Sequence, residues 1–125
     1  MVRKLTFGFA LLFVWVVVSG YIPSFITYEG TDRIQFGLFR LSLIDDVTHG
    51  VTALLALVAS LHSRKLSLLF LTAFGFYYAL DAIFFLTYGF TNEKPYSADI
   101  LLNLPHVLIA TAMLSIVYWW APRQE

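Results

Sequence analysis

Four stretches of this chain are apolar almost without interruption, with polar residues gathered between them: Leu5 to Ile22, Ser42 to Leu61, Leu66 to Phe90, and Ala98 to Trp120. A bilayer core of about 30 Å takes roughly 20 helical residues to cross, so each stretch is long enough. The pattern predicts an all-α fold, a four-helix transmembrane bundle forming one integral membrane domain over residues 1–125. The first run follows Arg3 and Lys4, a charged start that a secretory leader also has, and Val18-Ser19-Gly20 would serve as a cleavage site. That run is longer than the roughly 7 to 15 apolar residues usual in a leader, so it is expected to persist as a helix.

Between the first two runs lies a long polar connection, Pro23 to Leu41. It carries the turn-rich patch Tyr28-Glu29-Gly30-Thr31-Asp32-Arg33 and then the apolar Phe36-Gly37-Leu38-Phe39. The apolar end is expected either to rest at the membrane interface or to fold over the helices. His62-Ser63-Arg64-Lys65, by contrast, predicts a tight turn, with His62 solvated.

Composition agrees with a membrane solvent. Hydrophobic residues make up 59% of the chain, aromatic residues 18% and charged residues only 13%, and the mean hydropathy of +0.76 is too high for an ordinary water-soluble domain. Eight basic residues balance eight acidic ones, so there is no net basic surface for nucleic acid. With no cysteine, disulfides and thiolate metal clusters are excluded.

The distribution of charge gives an orientation. Arg3, Lys4, Arg64, Lys65 and Arg123 fall at one side, against Arg33, Arg40 and Lys94 at the other. Basic residues concentrate on the cytoplasmic side, so both termini are expected to be cytoplasmic in a multi-pass protein of the cell membrane. Glu29, Asp32, Asp45, Asp46, Glu93 and Asp99 then lie at or beyond the outer ends. Trp119 and Trp120 at the inner boundary, and Tyr21, Tyr88 and Tyr96 at the outer one, suit interfacial anchors.

The chemistry worth weighing sits in a repeat. Aligning His49 with His106 places Asp46-x-x-His49 over Asn103-x-x-His106, and Gly8 and Tyr21 similarly match Gly75 and Tyr88. The chain reads as two helical hairpins related by a pseudo-twofold axis along the membrane normal. Asp45, His49, Thr52 and Ala56 share one helical stripe, as do Asp99, Asn103, His106 and Ala110. Asp81, on the third helix, falls at a depth similar to that of the two histidines.

Gly20-Tyr21-Ile22-Pro23, Leu38-Phe39-Arg40-Leu41-Ser42 before Asp46-x-x-His49, and Asn103-x-x-His106 resemble a family of small bacterial four-helix membrane proteins catalogued only as a domain of unknown function. The resemblance covers nearly the whole chain and implies the four-helix fold without implying a reaction. The family pattern differs from this chain at Asp46, Leu102 and Pro105.

Ionisable residues inside membrane helices are costly and mark candidate sites. Ser42 with Asp45 fits a capping box, whereas Asn103 either caps a late-starting fourth helix headed by Pro105 or sits in a longer, kinked one. Asp46, His49, Asp81, Asn103 and His106 remain as a polar layer. They either pair structurally, His49 with Asp81 and His106 with Asp46 for instance, or receive a ligand. His49, His106 and Asp81 would suit a divalent metal, and the two histidines would suit haem, although no H-E-x-x-H or similar ligand motif accompanies them. A proton relay finds no charged route through the inner leaflet, and no nucleophile elbow or phosphate loop is present. The third helix, with Tyr77 and Asp81 on one face, is read as packing ahead of a lipid-cofactor groove. The leading expectation is a noncatalytic scaffold or accessory subunit in contact with lipid, with a membrane-protein partner or a second copy. The alternative is a metal- or haem-binding membrane enzyme or redox protein.

Overall fold

The computed structural model describes residues 1–91 and 96–124, without the side chains of 85, 88–91, 96–102 and 124. The expectations placed on the side chains of Tyr88, Glu93, Lys94, Tyr96, Asp99 and Leu102 lie outside the described residues. Among the described residues there are four helices, α1 (Val2–Ser19), α2 (Leu43–His62), α3 (Arg64–Thr91) and α4 (Tyr96–Ser115), and four helical segments, Val2–Ser19, Leu43–His62, Arg64–Phe84 and Asn103–Arg123, are long and apolar enough to cross a membrane. The predicted all-α, four-helix class is therefore what the chain forms. One element type was not anticipated: the connection from Pro23 to Leu41 is a three-stranded antiparallel meander rather than an irregular loop. The chain divides into two compact units, Arg3–Ser67 and Leu68–Glu125, with the division one turn into α3.

In the first unit, α1 starts earlier than the apolar pattern suggested and takes Arg3 into its first turn. The Arg3 guanidinium donates to the Ser60 and Leu61 carbonyls at 2.7 and 2.6 Å. These belong to the last turn of α2, whose carbonyls have no partner within the helix. Position 3 thus ties the start of α1 to the end of α2. At its other end α1 stops at Ser19, not Ile22. Gly20, Tyr21 and Ile22 each donate back three residues, tightening the chain before Pro23 opens a 3-10 turn (Pro23–Phe25). Space at Gly20 is tight: a Cβ there would meet the Leu41 Cδ1 methyl at 2.9 Å and the Val17 carbonyl at 3.2 Å.

The meander consists of β1 (Ile26–Glu29), β2 (Asp32–Gln35) and β3 (Phe39–Leu41), with Tyr28 opposite Arg33 and Arg33 opposite Leu41. Gly30 occupies the first central position of the two-residue β1–β2 turn with φ 63°, the conformation that a tight hairpin requires and glycine adopts freely. Side chains alternate across the sheet. Ile26, Arg33, Gln35, Phe39 and Leu41 consequently share one face, while Glu29, Asp32 and Arg40 share the other, where Arg40 pairs with both carboxylates.

Ser42 then caps α2 as predicted. Its hydroxyl accepts from the Asp45 amide at 3.2 Å, and the Asp45 carboxylate accepts from the Ser42 amide at 2.9 Å. The buried residues of α2 are small, namely Thr52, Ala53, Ala56, Ala59 and Ser60, which is how membrane helices approach closely without a hydrophobic drive between them. The expected inner turn shrinks to one extended residue, Ser63, whose hydroxyl accepts from the Leu66 amide and opens α3.

In the second unit α3 and α4 pack antiparallel, with Phe76 against Tyr118 and Asp81 against His106. Gly75 lies at their closest approach, where a Cβ would stand 2.7 Å from Leu114 Cδ2 and 2.9 Å from Leu114 Cγ. Pro105 is inside α4, so the helix does not begin late and Asn103 is an interior residue, not a cap. The missing amide of Pro105 frees the carbonyl four residues before it. Past Ser115 the helix continues as a π turn (Ile116–Trp120) and a 3-10 turn (Ala121–Gln124), not as the regular α-helix predicted to Trp120. Arg123 closes this end by donating to the Trp119 carbonyl at 2.6 Å, with its guanidinium 4.2 Å from the centre of the Trp119 ring.

Candidate functional site

Each unit holds its own polar centre. In the first, Asp46 lies in the opening turn of α2, where the free helix amides favour a negative charge. Its Oδ2 accepts from the Tyr21 phenol at 2.6 Å and from Arg33 Nη2 at 2.5 Å. Arg33 also donates through Nη1 to the Gly20 carbonyl at 3.0 Å, and its guanidinium lies 4.6 Å from the centre of the Tyr21 ring. One side chain from β2 therefore joins the end of α1 to the start of α2. The Arg33 and Asp46 side chains are 21% and 10% exposed, so their contact is sheltered from the screening that weakens surface pairs. Two residues along the same strand, Gln35 donates to Ser19 Oγ at 2.6 Å and to the Val16 carbonyl at 3.3 Å. Gln35 and Ser19 are both buried, and this second contact fixes the angle at which the strand crosses the helix end.

The same contacts set the titration behaviour of the centre. Donation to Asp46 raises the Tyr21 pKa above its ordinary 10.0, with smaller contributions from desolvation and the Asp46 charge. Arg33 is likewise raised, first by its hydrogen bond to Asp46, and stays charged at every working pH. For Tyr21, a folded pKa above the unfolded one means that the contribution is complete below about pH 10 and is lost as pH rises through the raised value. Tyrosine absorbance titration is therefore expected to show one phenol ionising late. Asp46→Asn should move it earlier, and an unchanged titration would separate Tyr21 from Asp46.

His49 lies two turns into α2 with its ring stacked on Phe13 of α1, centroids 6.0 Å apart and planes at 23°. In the second unit, His106 of α4 lies beside Tyr78 of α3, centroids 5.6 Å apart at 37°. Each histidine is thus packed against an aromatic ring of the preceding helix in its own unit. His106 Nδ1 also stands 2.8 Å from Asp81 Oδ2. The carboxylate lies off the ring N–H direction, so the contact meets ion-pair distance without hydrogen-bond alignment. Tyr78 and Asp81 are three apart on α3, and Asn103 and His106 three apart on α4, so two i, i+3 faces meet. Asn103 is buried.

Within its own unit, Asp81 lies against His106, and Asp46 accepts from Arg33 and Tyr21. Each carboxylate takes a partner that the antiparallel packing of its own unit supplies. Among the described residues, no three His, Asp or Glu side chains gather as metal ligands. Sequence reasoning missed the role of Arg33, which it placed in a turn-rich patch and counted toward the charge distribution. It also preferred Tyr77 to Tyr78, although Tyr77 is exposed and Tyr78 is buried.

The fold and these centres define a multi-pass membrane protein with a strand meander latched to helix ends. No protein-family model matches the chain, and neither a curated protein nor a solved structure matches it.

Proposed function

We propose that this protein is a noncatalytic scaffold or accessory subunit of the cell membrane, with both termini cytoplasmic and the meander outside. The observation that carries this reading is the engagement of Asp46, whose Oδ2 is already taken by Arg33 and Tyr21. A carboxylate held by two donors and a guanidinium stacked on a ring form a latch that joins the two helix ends. Asp81 and His106 stand at ion-pair distance from each other across the α3–α4 contact. The orientation rests on the basic residues Arg3, Lys4, Arg64, Lys65 and Arg123. The role of such a protein is to hold its apolar helix faces in register for lipid, a membrane-protein partner or a second copy.

The test is metal analysis and visible absorption of the purified protein, with His49→Ala and His106→Ala alongside. A scaffold predicts folded variants of reduced thermal stability and no change in metal or haem content. Stoichiometric metal, or a haem band, lost in either variant would replace it with the cofactor reading.

A further inference from the structure

The turn between β2 and β3 is apolar where a solvated turn would be polar. Phe36 and Leu38 are each 48% exposed, and the turn closes through donation from the Leu38 amide to the Gln35 carbonyl at 3.0 Å. Phe36 adopts φ 55° and Gly37 φ 69°. A bulky aromatic is rarely placed in the left-handed region, so the chain accepts strain to put a ring at this tip.

An unbroken row of rings connects that tip to a membrane span. Trp15 of α1 meets Phe25 edge-on, with centroids 6.1 Å apart, and Phe25 meets Phe36 at 5.2 Å. The Phe36 amide donates to the Phe25 carbonyl at 2.7 Å, holding the turn to the row. Trp15 is 49% exposed on a helix that crosses the bilayer, so its open face is a lipid face. It stands four residues before the end of α1, about 6 Å along the axis. The row therefore starts just inside the span and carries its apolar surface outward onto the turn.

The far end of the meander has the opposite chemistry. Arg40, Glu29 and Asp32 form exposed ion pairs there, and the β1–β2 turn is Gly30-Thr31. The element is amphipathic from end to end, with one tip aromatic and continuous with a span and the other charged. Aromatic and aliphatic side chains gain by partitioning into the boundary between headgroups and acyl chains.

We infer that the Phe36-Gly37-Leu38 turn is a lipid-contacting foot, which seats the meander in the leaflet covering Trp15 and leaves its charged tip in water. Its partner is the headgroup–acyl boundary of the bilayer itself.

The chain has no cysteine, so single spin labels can be placed without a background. Leu38→Cys, Thr31→Cys and Leu12→Cys would be labelled in the full chain in phosphatidylcholine/phosphatidylglycerol vesicles. Accessibility to oxygen and to a water-soluble nickel chelate would then be measured at each. Position 12 is the lipid-facing reference on α1 and position 31 the aqueous one. The foot predicts an oxygen-to-nickel ratio above one at 38, as at 12, and below one at 31. A ratio below one at 38 would return the turn to water, and shielding from both reagents would mean that it folds against protein. Either result overturns the inference.

Discussion

Arg33→Met is expected to cost about 1.5–3 kcal/mol of stability, the range for hydrogen bonds to a charged group. Three effects combine. Asp46, 10% exposed, is left with Tyr21 as its remaining side-chain donor, the Gly20 carbonyl loses its donor, and the Tyr21 ring loses the cation above it. Most of the loss comes from the stranded carboxylate, so adding Asp46→Leu to Arg33→Met should recover part of it. The damage should also be local. Amide exchange is expected to accelerate across β1 to β3 while the middle of α2 stays protected. Uniform acceleration through α2 would mean that the meander and helices unfold as one unit. Unfolding of the protein in detergent, followed with exchange mass spectrometry, measures both.

The second large effect falls on Gly75. Adding one carbon there places it 2.7 Å and 2.9 Å from two Leu114 atoms and 3.3 Å from Met113 Cβ. The Leu114 tip can rotate away, but its Cγ and the Met113 Cβ are close to the backbone of α4 and can move only with it. Gly75→Ala is expected to cost about 1–3 kcal/mol, the usual range for overpacking, and Gly75→Val more. Gly8, which the sequence repeat aligns with Gly75, stands in open space, where an added Cβ would have nothing within 4 Å. Gly8→Ala should therefore stabilise α1 by about 0.5–1 kcal/mol, through the conformational freedom that glycine loses in a helix. Thermal unfolding of the two alanine variants side by side should show opposite signs. Equal losses would restore the equivalence that the repeat suggests.

The helices were legible because a membrane span is a long-period signal: some 20 apolar residues are needed whatever the tertiary contacts. Ser42 and Asp45 were legible because a capping box is local, its partners three residues apart. The ends of helices were less so. Arg3 reads as a flanking charge until the α2 carbonyls that it serves are seen, and Ile22 reads as helical until the chain tightens before Pro23.

The meander was missed although its signals are present. Ile26-Thr27-Tyr28 and Arg33-Ile34-Gln35 are strand-forming runs flanking Glu29-Gly30-Thr31-Asp32, a hairpin pattern with glycine at the first turn position. In a chain of four membrane spans, the same residues read as a polar loop. Had the hairpin been drawn, strand alternation alone would have put Arg33 and Gln35 on one face. The polar layer was half legible. The i, i+3 spacing located Asn103 and His106, but which carboxylate meets which cation depends on helix pairing that no short motif encodes. The Asp46-x-x-His49 repeat is present in the sequence, yet its first copy is engaged by Arg33 of a strand, whereas in the second His106 lies beside Asp81 and Tyr78 of the neighbouring helix.

Whether Asp46 is a latch rather than an open site is tested most directly by a double-mutant cycle over Arg33→Met and Asp46→Asn. Unfolding free energies of the four proteins are predicted to give a coupling of at least about 1.5 kcal/mol. Losses that add within about 0.5 kcal/mol, as for independent residues, would contradict it.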